Sequence, residues 1–529
     1  MKKLLFLLVL LSEALSTFAN GVDDKINEVF AQYTGWFVKL IFYSIPFTSQ
    51  VSIPWVLLVL VGGAVYFTLY FKFFNIRGIG VSIRTVMGRF DALEENKHVE
   101  VSESAFTVEG DNPNTIRIEG AHTGEVSHFQ ALTAALSATV GLGNIAGVAI
   151  ALSVGGAGAT FWMIIAGFLG MASKFVECTL GVRYRDIDER GIVFGGPMYY
   201  LKKGLAELGA ARAGKVLSIL FAIMCIGGSF GGGNMFQANQ AFKMFQTVTG
   251  GDHSFIAGNG WIFGLVMAIL VGVVIIGGIK SIAKVTDKIV PFMVGIYVLA
   301  GVVILFIHFK EIPNAMNIIL SGAFTAEGIT GGIIGVLIQG FKRAAFSNEA
   351  GIGSASIAHA AVKTRYPASE GIVALLEPFI DTVLVCTMTA LVIVVSNMDS
   401  SIMQYGHAIP DGVVATSKAF ESNISWFPYI LSVAVILFAF STMISWSYYG
   451  YQAWAFLFGR SKLQEYVYKA IFCLFVIIGA AASMGAVVDF SDAMIFAMMA
   501  PNMIGLVLLA PRVSDELSHF MNAIKNLNK

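Results

Sequence analysis

The sequence predicts an all-α polytopic membrane protein of about eleven transmembrane helices. The last ten form a five-plus-five inverted repeat whose first and sixth members are broken. Three observations predict it. Of 529 residues, 56% are hydrophobic and 13% charged, with mean hydropathy +0.74, about half the charged share of a soluble chain. Apolar runs of about 20 residues recur from end to end, and lipid offers backbone groups no partner outside a helix or closed barrel. Two of those runs carry glycine interruptions at matching places, around Gly141 and Gly351.

The elements follow in order. Residues 1–19, with two lysines, an apolar stretch and small residues before Asn20, have the pattern of a secretory signal peptide, and cleavage is expected near Ala19 rather than retention as an anchor. Residues 20–51 have helical apolar spacing broken by charges and are expected to lie in the periplasm or at the membrane interface. An extra transmembrane helix is predicted over 52–75. Residues 76–127 follow as a basic amphipathic surface helix, "GIGVSIRTVMGRF", and a charged insert between about Leu93 and Gly124. The first five-helix repeat spans 128–310, with spans near 128–154, 157–183, 213–246, 256–277 and 286–309. The second spans 329–510, with spans near 329–361, 368–396, 427–458, 467–484 and 486–510. Residues 511–529 form a tail.

Loop charges give the orientation. With residue 21 outside, alternate loops are basic: Arg77, Arg84 and Arg89, then Lys202, Lys203 and Lys215, Lys280, Lys284 and Lys288, Lys363 and Arg365, Arg460 and Lys462. Loops 250–254, 310–327 and 397–421 are poor in basic residues. The rule that cytoplasmic loops are basic then places the C-terminus in the cytoplasm. Net charge is +0 and says nothing about partners. Cys178, Cys225, Cys386 and Cys473 all lie in apolar runs without metal-ligand spacing, so a disulfide or zinc framework is not expected.

The first core span contains "SATVGLGNIAGVAIALSVGG", residues 137–156. "GLGNIAG" matches a dinucleotide-binding fingerprint, but that motif needs a strand before it and a soluble βαβ unit around it. Close helix packing accounts for Gly147, Gly155 and Gly156. It does not account for Gly141, Gly143 and Asn144, which suit an unwound segment whose amides, together with the N-terminus of the next half-helix, favour a carboxylate. The sixth core span contains "FSNEAGIGSA". Because an odd number of spans separates like positions, the two halves have opposite orientation. Paired glycine-interrupted spans of that kind point to an inverted-repeat transporter with a midplane site.

Phe346, Ser347 and Asn348 beside the second break are expected to line that site. Glu349 is either at the site or in an internal ion pair with a basic neighbour such as Lys342 or Arg343; the residues leave this open. In "GGGNMFQANQ", Asn234 and Gln237 share a face, and their amides suit a zwitterion, although interhelical hydrogen bonding would use the same groups. Ser441, Thr442, Ser445 and Trp446 bracket one face of the eighth core span. Hydroxyl and carbonyl oxygens suit a hard cation such as sodium, but back-bonding to their own helix is equally open to them. Ser137 to Thr139 has the same ambiguity. Glu177, Glu377 and Asp381 are expected to be scaffold, and "GGPMYYLKKG" a cytoplasmic hinge or gate.

"ALSATVGLGNIAGVA", "GGPMYYLKKGL", "GNMFQANQ", "FSNEAGIGSASIAHAA" and "STMISWSYYG" together resemble the alanine or glycine:cation symporter family, bacterial sodium–alanine carriers, from about Ser52 to Arg512. The resemblance implies sodium-coupled uptake of alanine or glycine across the bacterial inner membrane. It implies a substrate site at Gly141, Gly143, Asn144, Asn234, Gln237, Phe346 and Ser347. It also implies a sodium site at Thr139, Ser441, Thr442 and Trp446. The expected partners are the solute, the coupling ion Na+ and the bilayer; neither nucleic acid nor an obligate protein partner is expected. A proton-coupled carrier using Glu349 or Glu177 is the alternative. A channel fits poorly with inverted broken helices. An intramembrane enzyme finds no H-E-x-x-H motif or paired catalytic acids in the chain.

Overall fold

A computed structural model describes residues 35–46, 52–93, 124–189, 191–325, 332–409, 411–482 and 484–527. The expected signal peptide and most of the polar insert lie outside these residues. The extra helix α1, Trp55–Tyr70, precedes the surface helix α2, Ile79–Val86. The first core span is α3, His128–Thr139, and α4, Val148–Gly155, joined through a wide π-type turn at Gly143–Gly147. Its two halves are bent by 52°. Helix α3 starts on a reciprocal capping box, in which Ser127 accepts from the Gln130 amide and the Gln130 side chain accepts from the Ser127 amide, satisfying two orphan donors.

The chain continues through α5, Ala159–Arg183, and α6, Pro197–Glu207. Helices α7, Ala211–Phe230, and α8, Phe236–Val248, follow, joined by a π turn at Gly231–Met235. Next come α9, Gly260–Ile275, α10, Gly278–Ile307, and α11, Ile312–Phe324. The sixth core span is also broken: α12, Gly332–Asn348, stops, and α13, Ala355–His359, resumes. Then come α14, Pro367–Ala374, a π segment at Phe379–Cys386, α15, Thr387–Ser396, α16, Gly412–Glu421, α17, Phe427–Phe458, α18, Lys462–Ala481, and α19, Met484–Leu527.

Among the described residues, helices overlap the expected spans. Within the described residues, seven helices are long and apolar enough to cross a membrane, or eight with the bent pair. Helices α1 and α9 have 16 residues each, short of the roughly 20 that a bilayer needs, so the count of eleven is not confirmed. Helix α17 runs for 32 residues, longer than a perpendicular span requires, and tilt absorbs the excess. The four cysteines are free.

The two broken spans are tied together at one end. The amide of Glu125 donates to the Ala361 carbonyl at 2.7 Å and that of Lys363 donates to the Val126 carbonyl at 2.8 Å, forming a parallel bridge between Val126 and Val362. The Arg185 guanidinium donates to the carbonyls of Ala360, Val362 and Thr364 at 2.7, 2.6 and 3.1 Å. These carbonyls belong to the chain that runs on past the end of α13.

Candidate functional site

The first break begins where Val140, with ψ of 87°, leaves the helix. The Asn144 side chain replaces the lost backbone pairing. Its Oδ1 accepts from the Gly141 amide at 2.9 Å. Its Nδ2 reaches out to the Asp381 carbonyl at 3.0 Å, Asp381 Oδ1 at 2.6 Å and the Cys386 thiol at 3.3 Å. Across the gap, Ser347 donates to Asp381 Oδ2 at 2.8 Å, and so does Thr382 at 2.8 Å. The Asp381 carboxylate therefore accepts from both broken spans at once. The fit is close: a methyl built on Gly143 would stand 3.4 Å from Ser347 Cα. On Gly141 it would stand 2.6 Å from Thr442 Oγ1 and 3.5 Å from Gln237 Oε1.

The second break is built differently. Glu349, Gly351 and Gly353 all take positive φ, of 54°, 82° and 100°, where a glutamate is strained and glycine is not. Asn348 ties the turn on both sides, accepting from the Ala350 amide at 3.0 Å and donating to Thr382 Oγ1 at 2.9 Å. Glu349 accepts from Ser354 and, at 3.1 Å, from the Trp446 indole. Of the two readings open for Glu349, the ion pair with Lys342 or Arg343 is not formed. Those two cations instead face Asp492, at 3.0 and 3.8 Å, because their positions on α12 turn them toward α19.

Helices α3 and α17 meet through hydroxyls. Ser137 donates to the Ser441 carbonyl at 2.7 Å, Thr442 to the Ser137 carbonyl at 2.9 Å and Ser445 to Ser137 Oγ at 3.0 Å. Thr139 and Ser441 bond back to Ala135 and Phe438 of their own helices at 3.2 and 3.0 Å. The Trp446 indole is turned to Glu349 and has no lone pair to offer a cation. Phe346 packs edge-on against Phe236 at 5.5 Å. Asn234 donates away from the breaks, to the Phe472 carbonyl at 2.7 Å, in the interhelical manner. Gln237 donates to the Gly232 carbonyl at 3.0 Å and turns its Oε1 toward Gly141. That oxygen is buried and meets no donor, which leaves an acceptor at the wall of the first break.

Sequence reasoning missed two things. One is Asp381: read as scaffold, it joins the breaks, and its one signal was an acid in an apolar run, four residues after Glu377 in "EPFID". The other is a buried chain of charges. His128 pairs with Glu370. His359 Nδ1 lies 2.5 Å from Glu370 and its Nε2 lies 3.5 Å from Glu377. Lys174 stands 2.9 Å from Glu377 and 3.8 Å from Glu177. Asn502 closes the chain on Glu177 at 3.4 Å and on the Gly351 carbonyl at 2.9 Å. In sequence His128, His359 and Glu370 form no motif.

The sequence profile of the sodium:alanine symporter family matches residues 111–529. The chain belongs to the sodium:alanine symporter family. It is 38% identical over 474 residues to the sodium/alanine symporter AgcS of Methanococcus maripaludis, covering 89% of this chain and 95% of that protein. It is 33% identical to the probable sodium/glutamine symporter GlnT of Bacillus subtilis, over 75% of this chain and 78% of that one. Its fold is similar to the crystal structure of MhsT in complex with L-phenylalanine, with TM-score 0.53 and 16% identity over 73% of this chain and 89% of the other. As a member of this family, the protein is a cation-coupled amino-acid transporter of the membrane and not an enzyme.

Proposed function

We propose that the protein carries alanine or glycine into the cell together with sodium, by alternating access, in a bacterial inner membrane with its C-terminus in the cytoplasm. The observation that carries this reading is Asp381, on which Asn144 of one broken span and Ser347 of the other converge. Gly141, Gly143 and Asn144 supply amides for the solute's carboxylate. Phe346, Ser347, Asn348 and Gln237 wall the space between the breaks, and tight walls exclude larger side chains. Thr139, Ser441 and Thr442 mark the sodium side, with Ser137 and Ser445 joining the hydroxyl seam between α3 and α17; Asn234 and Trp446 support the walls from behind.

Electrostatics gives the coupling. A zwitterion's carboxylate brought to the first break comes close to the Asp381 carboxylate, and like charges in a medium of low dielectric repel strongly. A cation bound nearby removes that repulsion, so the solute binds well only with its ion. Each charge carried inward gains about 2.3 kcal/mol per 100 mV, roughly fifty-fold in concentration. The name of the relative AgcS supports alanine as solute and sodium as ion.

The test is uptake of labelled alanine and glycine into proteoliposomes under sodium, potassium or proton gradients. Accumulation driven by inward sodium is expected. Proton coupling is the second reading, favoured by the buried chain from His128 to Glu177. Uptake that survives sodium removal and collapses with the pH gradient would select it.

A further inference from the structure

A pocket of about 370 Å³ opens at the end of the bundle that the basic loops place in the cytoplasm. Lys202 and Lys203 of α6, Lys215 of α7 and Arg460 after α17 line it, together with a single acid, Asp186, and the apolar wall of Ile219 and Phe456. Asp186 is already engaged twice, by Lys203 and, at 3.2 Å, by Arg460. Arg460 is itself held over the Phe194 ring at 3.9 Å and donates to the Tyr199 hydroxyl at 3.2 Å. Lys202 and Lys215 meet no carboxylate among the described residues. The pocket thus holds four cations against one anion, in a concave setting where a fixed Arg fork and two unneutralised ammonium groups converge.

The rim shows which anion fits. Lys215 begins a face of α7 that continues as Val216, Leu220 and Ile223, exposed by 58%, 42% and 49%. Phe458, 54% exposed, stands on the other side. Side chains of this kind on a membrane protein face acyl chains, so the basic pocket lies where the headgroup layer meets the hydrocarbon. Basic pockets between helices on the cytoplasmic side are suited to anionic headgroups. A free phosphate would use the cations and leave the apolar rim unused.

We propose that this pocket binds the phosphodiester headgroup of an anionic phospholipid, with its acyl chains laid along Val216, Leu220 and Ile223. The phosphate sits between Lys202 and Lys215, and Arg460 forms the floor. The site lies away from the two helix breaks and does not depend on which solute or ion the carrier moves.

The experiment is native mass spectrometry of the detergent-solubilised full chain with phosphatidylglycerol or phosphatidylcholine added at equal concentration. Phosphatidylglycerol is expected to be retained roughly tenfold better, and the double variant Lys202→Ala, Lys215→Ala to lose that preference. The variant's melting temperature in phosphatidylcholine should stay close to the wild type's, since both lysines are exposed and the double substitution gives up only the Lys202 contact with the Phe456 ring at 5.8 Å. A salt series on the wild type provides the second arm, and the preference should shrink as ionic strength rises. Equal retention of the two lipids, a preference untouched by the double substitution, or one insensitive to salt would overturn the proposal. Displacement of phosphatidylglycerol by millimolar inorganic phosphate would overturn it too, placing a free anion there instead of a lipid.

Discussion

The two helix breaks face each other yet are stabilised in different ways. From Val140 to Gly147 the first contains no ionisable side chain. It is held by one amide, Asn144, whose partners Asp381 and Cys386 belong to another element. The second has Glu349 in its turn, three residues at positive φ, and a floor of Asn502, Glu177 and Lys174 beneath it. A break held by a few hydrogen bonds, each contributing about 1–3 kcal/mol net, can change its pairing when a solute arrives. A break seated on buried paired charges cannot, because parting them leaves a charge without a partner at a cost of several kcal/mol. The first break is thus suited to respond and the second to hold still.

The sharpest way to break this comparison is Asn144→Ala. It should abolish uptake in proteoliposomes while helical content and detergent-exchange behaviour stay normal, and wild-type rates would remove the first break from the site. Asp381→Asn keeps the size and loses the charge. Uptake should fall at least about tenfold, with the sodium concentration for half-maximal rate raised, since a nearby charge is worth one to a few kcal/mol in such a site. An unchanged sodium dependence would separate Asp381 from the ion.

Lys174→Met tests the other side of the comparison. It leaves Glu177 without a cation and Glu377 with His359 alone, and should cost about 3 kcal/mol or more, read as a lower melting temperature. Adding Glu377→Gln should recover part of the loss; no recovery would mean the pair is not the reason. The smallest effects belong to glycines. Gly351→Ala places a side chain at φ 82° against Met503 and Leu60 and should cost about 1–3 kcal/mol. Gly147→Ala meets nothing within 4 Å at a helical φ and should be neutral or slightly stabilising.

Much of this was legible because it is written in local pattern. Apolar runs gave the spans, and "TVGLGN" and "FSNEAGIGSA" gave both breaks with their side chains Asn144 and Ser347. The hydroxyls of α17 stood out in sequence, but only packing joins them to α3. What the sequence withheld is long-range pairing. Asp381 stands 237 residues from Asn144, and nothing near Asp381 in sequence says which helix it will face. His128, Glu370 and His359 are likewise far apart or unpatterned, and only packing brings them into one chain. Asn234 and Gln237 share a helical face, yet their amides turn to opposite neighbours, a difference of rotamer that spacing cannot encode.

The bridge between Val126 and Val362, with Arg185 clasping three carbonyls beyond α13, has a consequence for movement. Hinged hand in hand at that end, α3 and α13 cannot swing apart like a pair of doors. Any opening at that end would have to carry the couple as one piece or first undo its clasp.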